Sequence, residues 1–372
     1  MATYYVRKTG NDANAGTSAG AAKLTIQAAV NLATTAGDTV YVGAGSYRET
    51  VTLAASGSSG SPISIIGDYA GTQTGDAGVV RITGSNDDAT VSRTTCITGT
   101  SRSWVNISSL TLDMFSQNAV RLSSCTDVIL AKLYCSTQTT EASEGCVHSL
   151  GASQARITVS NCFVFAPASD TGRGINFTHS GTVDNCAHVV SSCIVVGGAG
   201  GIVSARVGGI TVRNCAVLGA RNTGYWIEAN LTAGQTMTVN NSIASSTRTA
   251  FGSSAATFLV EDYCCISQAN AARSNVTAGA NSNTRPLVLD SRWFHSLTGG
   301  GSLVSPFDLA SYSGLVELNS GTGAPSTDMR GASQTGTYRE WGPLEYNAAL
   351  SVSGGAALGL PIVGSAIVRG DG

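Results

Sequence analysis

Along the middle of the chain, apolar and polar residues alternate in short runs, and each run ends in a small polar pair followed by one residue that returns to an apolar or small side chain. The runs are Val105–Leu110, Val128–Leu133, Ile157–Cys162, His188–Cys193, Ile210–Cys215 and Met237–Ser242, with starts 22 to 31 residues apart. Period-two alternation predicts a short strand in each, the polar pair a turn, and the closing residue a re-entry into the interior. A second set follows most copies: Val120–Leu122, Val147–Ser149, Ile175–Phe177, Ile202–Ser204 and Tyr225–Ile227, recurring every 23 to 28 residues. One such unit cannot bury its own apolar face, but stacked units cover one another. Two phased strand columns predict an all-β chain wound as a single-stranded parallel β-helix, a solenoid that is right-handed because parallel crossovers are. Leucine-rich and ankyrin repeats share the period but need a helix or a leucine frame that these segments lack.

The same pattern sets the boundaries. Ile26, Ala29, Val30 and Ala33 fall at helical spacing before Gly37, which predicts an N-terminal α-helical cap within 1–50. Coils then run over 51–267, and an irregular closing segment over 268–346, where Trp293, Phe294, Phe307 and Tyr312 raise the aromatic content. The last stretch, 347–372, is an almost uncharged apolar arm; Gly354, Gly355, Gly359 and Pro361 make it a poor membrane helix. Free in water, it would expose an apolar patch of the size that usually marks an interface. It is therefore expected to dock, either on its own coils or on a partner.

Composition narrows the function classes. Of 372 residues, 12% are charged and 45 are glycine, and the net charge is −2. Few charges and many glycines suit short strands joined by tight corners. No basic face is available to recruit nucleic acid, so none is expected as a partner. Ten cysteines invite a disulfide or zinc reading, but no C-x-x-C pair exists. Cys162, Cys193 and Cys215 hold one repeat position, so they should stack about 4.8 Å apart as buried thiols, too far for an easy bridge.

The N-terminal motifs add a resemblance. Tyr4-Tyr5-Val6, Gly10-Asn11-Asp12, Gly16-Thr17, Thr25 to Ala29, Gly37 to Val42 and Gly45 to Glu49 resemble the opening of right-handed parallel β-helix proteins of the pectate-lyase-like superfamily. Pro286 to Asp290, Asp328 to Gly331 and Gly342 to Tyr346 resemble its closing segment. The resemblance implies a fold shared by bacterial surface proteins, polysaccharide lyases and bacteriophage virion proteins. It implies no activity, because the shared residues are caps and turns. Superfamily lyases hold calcium with acids on adjacent coils and use a basic side chain to abstract a proton; its glycosidases gather carboxylates on one face. Neither pattern matches this chain residue by residue. Asp87 and Asp88 sit in a polar turn, Glu141 and Glu144 in a loop, and Asp170 in another; each reads first as a solvated turn residue.

One surface column carries more. If Val120 and Leu122 point inward, Arg121, His148, Asn176, Val203 and Trp226 point outward in successive coils, with Glu228 on the same side. Arg121, His148, Asn176, Trp226 and Glu228 are thus candidate glycan-binding residues, the indole meeting a sugar face and the polar tips its hydroxyls. The bland reading is a solvated sheet face. No catalytic residue, metal set or cofactor is assigned. The leading expectation is a non-enzymatic structural or attachment protein of a bacteriophage virion, made in the host cytoplasm without a secretory signal. Its partners would be other virion proteins or copies of itself, bound through 347–372, and a host surface polysaccharide. The alternative is a tailspike-type polysaccharide lyase or glycosidase, with Glu144 and Asp170 as its acids.

Overall fold

The computed structural model describes residues 1–137, 144–166, 172–183, 185–228, 236–246, 248–254, 258–262, 264–268, 271–279 and 282. The chain is a right-handed parallel β-helix built from three ladders of short strands. The first ladder runs from Thr3–Val6 through Thr39–Val42, Ile63–Gly67, Ser103–Ser108, Thr126–Ala131, Thr158–Ser160, His188–Ser191, Ile210–Arg213 and Met237–Asn240 to Leu259–Asp262. Its register pairs Val105 with Val128, His188 with Ile210 and Ile210 with Met237, the phase set by the alternating runs. The third ladder pairs Val120 with Val147, then Ile175, Ile202, Tyr225 and Phe251, matching the second set of strands.

Between them lies a ladder that the alternation did not separate out, containing Tyr134–Thr137, Phe163–Ala166, Ile194–Gly197, Ala216–Ala220 and Ile243–Ser246. The long strand Thr111–Ser123 belongs to both the second and third ladders. The polar pair makes the corner into it. Ser109, Lys132, Asn161, Ser192, Asn214 and Asn241 all take φ between 49° and 59°, a left-handed conformation that asparagine tolerates better than most residues. The next residue then turns inward: Leu110, Leu133, Cys162, Cys193 and Cys215 are fully buried. These three thiols are unbridged, and Cys162, Cys193 and Cys215 each donate weakly to a carbonyl of the preceding coil, at Leu130, Val159 and Val190.

The interior is a set of stacked aliphatic rows. One row of the first ladder reads Val40, Ile65, Ile107, Leu130, Val159, Val190, Val212 and Val239, each 1% exposed or less. The row ends on Glu261, a buried carboxylate that pairs with Arg273 of the third ladder at 2.6 Å and also accepts from the Gly279 amide and the Ser282 hydroxyl. The neighbouring row admits His188, which is fully buried, stacks on Phe177 at 4.5 Å and accepts the Ile157 amide on Nδ1. Burial pushes its pKa down to about 3, so the ring is a neutral core residue.

The N-terminal end is closed by the helix Ile26–Val30, capped by Thr25, with Ile26, Ala29 and Val30 in the core. Its first amides, Ile26 and Gln27, donate to the Glu49 carboxylate at 2.9 Å. The strand stack extends on both sides of 51–267, from Thr3–Val6 to Ala271–Ser274. The arm at 347–372 and the aromatic group at 293–312 lie outside the described residues.

Candidate functional site

The outward face of the third ladder holds the chemistry. Strand register stacks Thr98, Arg121, His148, Asn176, Val203, Trp226 and Gly252 in one outward column. A parallel column, two residues on, contains Leu150, Thr178, Ala205 and Glu228. The register thus stacks the expected stripe in one column, but its members differ in exposure. His148 is 4% exposed and Asn176 fully buried, while Arg121 and Trp226 are half-buried and only Glu228 of the five stands in the open. The reason is that long polar side chains on this face bond to one another across coils instead of reaching into water. The reading of the stripe as a solvated face fails on the same observation.

Glu144 is the residue whose role changes most. Expected in a loop as a solvated acid, it lies directly before the strand Gly145–Leu150, and its carboxylate meets His148, four residues on. His148 Nδ1 lies 2.9 Å from Glu144 Oε2, and Asn118 Nδ2 donates to the same oxygen at 2.9 Å and to the Gly145 carbonyl at 2.7 Å. The hydrogen bond from His148 comes first among the causes that hold the Glu144 pKa at about 2, followed against burial by Asn118 and by the charge of Arg121. A carboxylate so held can only accept, which places the imidazole proton on Nδ1. Nε2 lies 2.7 Å from Thr178 Oγ1 on the next coil and, in that tautomer, accepts its proton.

The neighbours fix this line of groups. Gln154, itself buried, accepts from Ser149 at 2.8 Å and donates to the Thr178 carbonyl at 2.7 Å. Arg173 bonds Asn176 Oδ1 at 3.1 Å, and its amide donates to the Glu144 carbonyl. Burial lowers the Arg173 pKa, opposed by the charge of Glu228. Trp226 packs against Gly252 of the next coil: a Cβ there would come within 2.4 Å of its ring, so only glycine lets the indole settle in this position. Asn118, Gln154 and Thr178 were missed by the strand reading. Thr178 was reachable, being two residues beyond Asn176 on one face, whereas Glu144 stands just outside the strand, where alternation says nothing of its contacts.

The remaining acids have structural partners. Asp87 accepts the amides of Ala89 and Thr90, and Asp88 pairs with Arg48 and Arg81. Asp170 lies outside the described residues. Among the described residues no three His, Cys, Asp or Glu side chains gather as a metal set.

No family model matches the sequence, and no curated protein matches it. Solved structures do. A pectate lyase, Pel9A, superposes with a TM-score of 0.57 over 93% of this chain and 97% of its own, at 13% identity. A rhamnogalacturonan lyase gives 0.53 over 91% and 96%, also at 13% identity. A protein described as a glycoside hydrolase gives 0.51 over 78% and 98%, at 8% identity. At these identities the likeness is one of fold, and the chain has the pectate-lyase-like β-helix fold.

Proposed function

We propose that the chain is a polysaccharide-processing protein, which holds a glycan along the outward face of the third ladder and acts on it there. The observation that carries this reading is the line Glu144, His148 and Thr178, set on one sheet face between Arg121 and the indole of Trp226. A carboxylate that orients an imidazole, which in turn takes a hydroxyl proton, is a proton-transfer device and more than a binding surface needs. The names of the structural relatives, two polysaccharide lyases and a glycoside hydrolase, support a glycan as the ligand.

A second reading keeps the glycan without the chemistry: an attachment component of a bacteriophage particle, docked to other virion proteins or to its own copies through 347–372. What favours it is the state of Glu144. With a pKa of about 2 it has no proton to give near neutral pH, so it cannot be the general acid of glycoside hydrolysis. Host-type surface polysaccharides incubated with the full chain separate the two. Processing predicts binding that Trp226→Ala weakens about tenfold or more, together with a covalent change in the bound glycan. Binding with the glycan recovered intact would support attachment alone, and no binding to any polysaccharide would remove both.

A further inference from the structure

Resting on the glycan reading, we propose that Thr178 is a nucleophile and that the reaction is removal of ester-linked acyl groups, such as O-acetyl, from the bound polysaccharide. The geometry is that of an acid, imidazole and hydroxyl relay. Glu144 Oε2 to His148 Nδ1 is 2.9 Å and His148 Nε2 to Thr178 Oγ1 is 2.7 Å, both within the range in which a base can take a hydroxyl proton. Such a relay is recognised by geometry and roles, not by sequence position or fold.

The order of burial fits the roles. The imidazole is 4% exposed, while Thr178 in front of it is only half-buried. The next residue of the Thr178 column is Ala205, whose methyl is the smallest side chain after glycine, and the exposed Glu228 follows it one coil on. Arg121, whose charge helps hold Glu144 ionised, stands one coil before His148. Gln154 and Asn118 act as positioning residues, the first through the Thr178 carbonyl and the second through Glu144.

In the first step Thr178 Oγ1 attacks the acyl carbonyl carbon while its proton passes to His148 Nε2. The bond from that carbon to the sugar oxygen breaks, and the sugar hydroxyl leaves with the proton. The acyl group then rests on Thr178 as an ester. Water attacks this ester, giving its proton to Nε2; the bond to Oγ1 breaks, Oγ1 regains the proton, and a carboxylic acid is released. Atoms balance as ester plus water to alcohol plus acid, with no oxidant or cofactor needed. Arrangements that serve glycosidic cleavage are absent from this line: Glu144 is fixed as an anion, and the accepting nitrogen of His148 already faces a hydroxyl.

The test uses the full chain with 4-nitrophenyl acetate and with an O-acetylated polysaccharide that it binds, read out as released acetate. Thr178→Val and His148→Gln should each lower release by about a hundredfold or more, with circular dichroism and glycan binding unchanged in Thr178→Val. Thr178→Ser should keep the activity within about tenfold, because the oxygen and its partner are retained. Acid quenching during turnover should leave an acetyl group on the peptide containing Thr178, seen by mass spectrometry. Wild-type release by Thr178→Val would overturn the proposal, and so would intact acetyl groups on a glycan that the wild-type chain binds. Ester hydrolysis without glycan binding would instead sink the glycan reading and leave the relay standing.

Discussion

The first and third ladders are each built of parallel strands with the same alternation, yet one outward column of each differs sharply from the other. On the first ladder this column is Ser64, Asn106, Ile129, Thr158, Val189, Thr211, Thr238 and Val260, small polar or lone apolar side chains of which none is buried, with Ile129 41% and Val260 48% exposed. On the third ladder the equivalent positions carry Arg121, His148, Asn176 and Trp226, and two of them are buried. Both columns are built on parallel strand pairing. They differ in side-chain length and in polar partners one coil away, and a face with both closes over itself. Alternation thus tells which way a residue points, while its environment depends on what stacks above and below it.

The largest test of this contrast is a pair of adjacent substitutions. Val212→Asp places an unpaired charge in the aliphatic row and should abolish folding, a loss of about 4–5 kcal/mol or more. Thr211→Asp, exposed on the outward side of the same strand, should stay within about 0.5 kcal/mol. Urea denaturation followed by circular dichroism reads both, and equal effects would show that the two sides are not distinct. The row itself explains why an acid is tolerated at Glu261 but not at Val212. Glu261 has the Arg273 guanidinium and the Ser282 hydroxyl, while Val212 has only aliphatic neighbours above and below, Val190 and Val239.

A smaller effect separates the two outward faces. His148→Ala takes one partner from Glu144, which keeps Asn118, and the imidazole partner from the Thr178 hydroxyl, and should destabilise by about 1–3 kcal/mol, whereas Thr238→Ala on the first ladder should be nearly silent. A silent His148→Ala would mean that the third face is as loosely solvated as the first.

Acid titration gives a third, gentler comparison. The folded Glu144 carboxyl titrates at about 2, below its ordinary range, so the folded state binds fewer protons than the unfolded chain. Its contribution is present above roughly pH 4.5 and is lost as the pH falls toward 2. His188 works higher on the same limb: its folded pKa of about 3 lies below the unfolded value, so stability declines as pH falls below roughly 6.5. Glu144→Gln should flatten the lower part of the acid limb, which it shares with Asp68, Asp76 and Asp127, and His188→Phe the upper part, measured as melting temperature against pH. The outward column of the first ladder holds no titratable side chain, and its variants should leave the limb unchanged.

The smallest expected effect concerns the indole. Trp226 rests on Gly252, so Gly252→Ala should displace the ring and weaken glycan binding while changing the core little. Unchanged binding in this variant would detach Trp226 from the site.

The sequence by itself determined the solenoid, the phase of two of its ladders, the inward rows, the stacked thiols and the helix that closes the first coil. These follow from local alternation and turn chemistry, which repeat with the coil and so are readable without knowing any contact. It also placed His148 and Asn176 on one column. It did not separate the second ladder, because residues such as Phe163 to Ala166 are apolar on both sides and carry no period of two. Nor could it bring Glu144 to His148, or His148 to Thr178. Those contacts depend on Asn118 of the preceding coil, which holds the Glu144 carboxylate, and on a register that brings Thr178 to His148 from 30 residues away, and both are decided only when the strands are stacked.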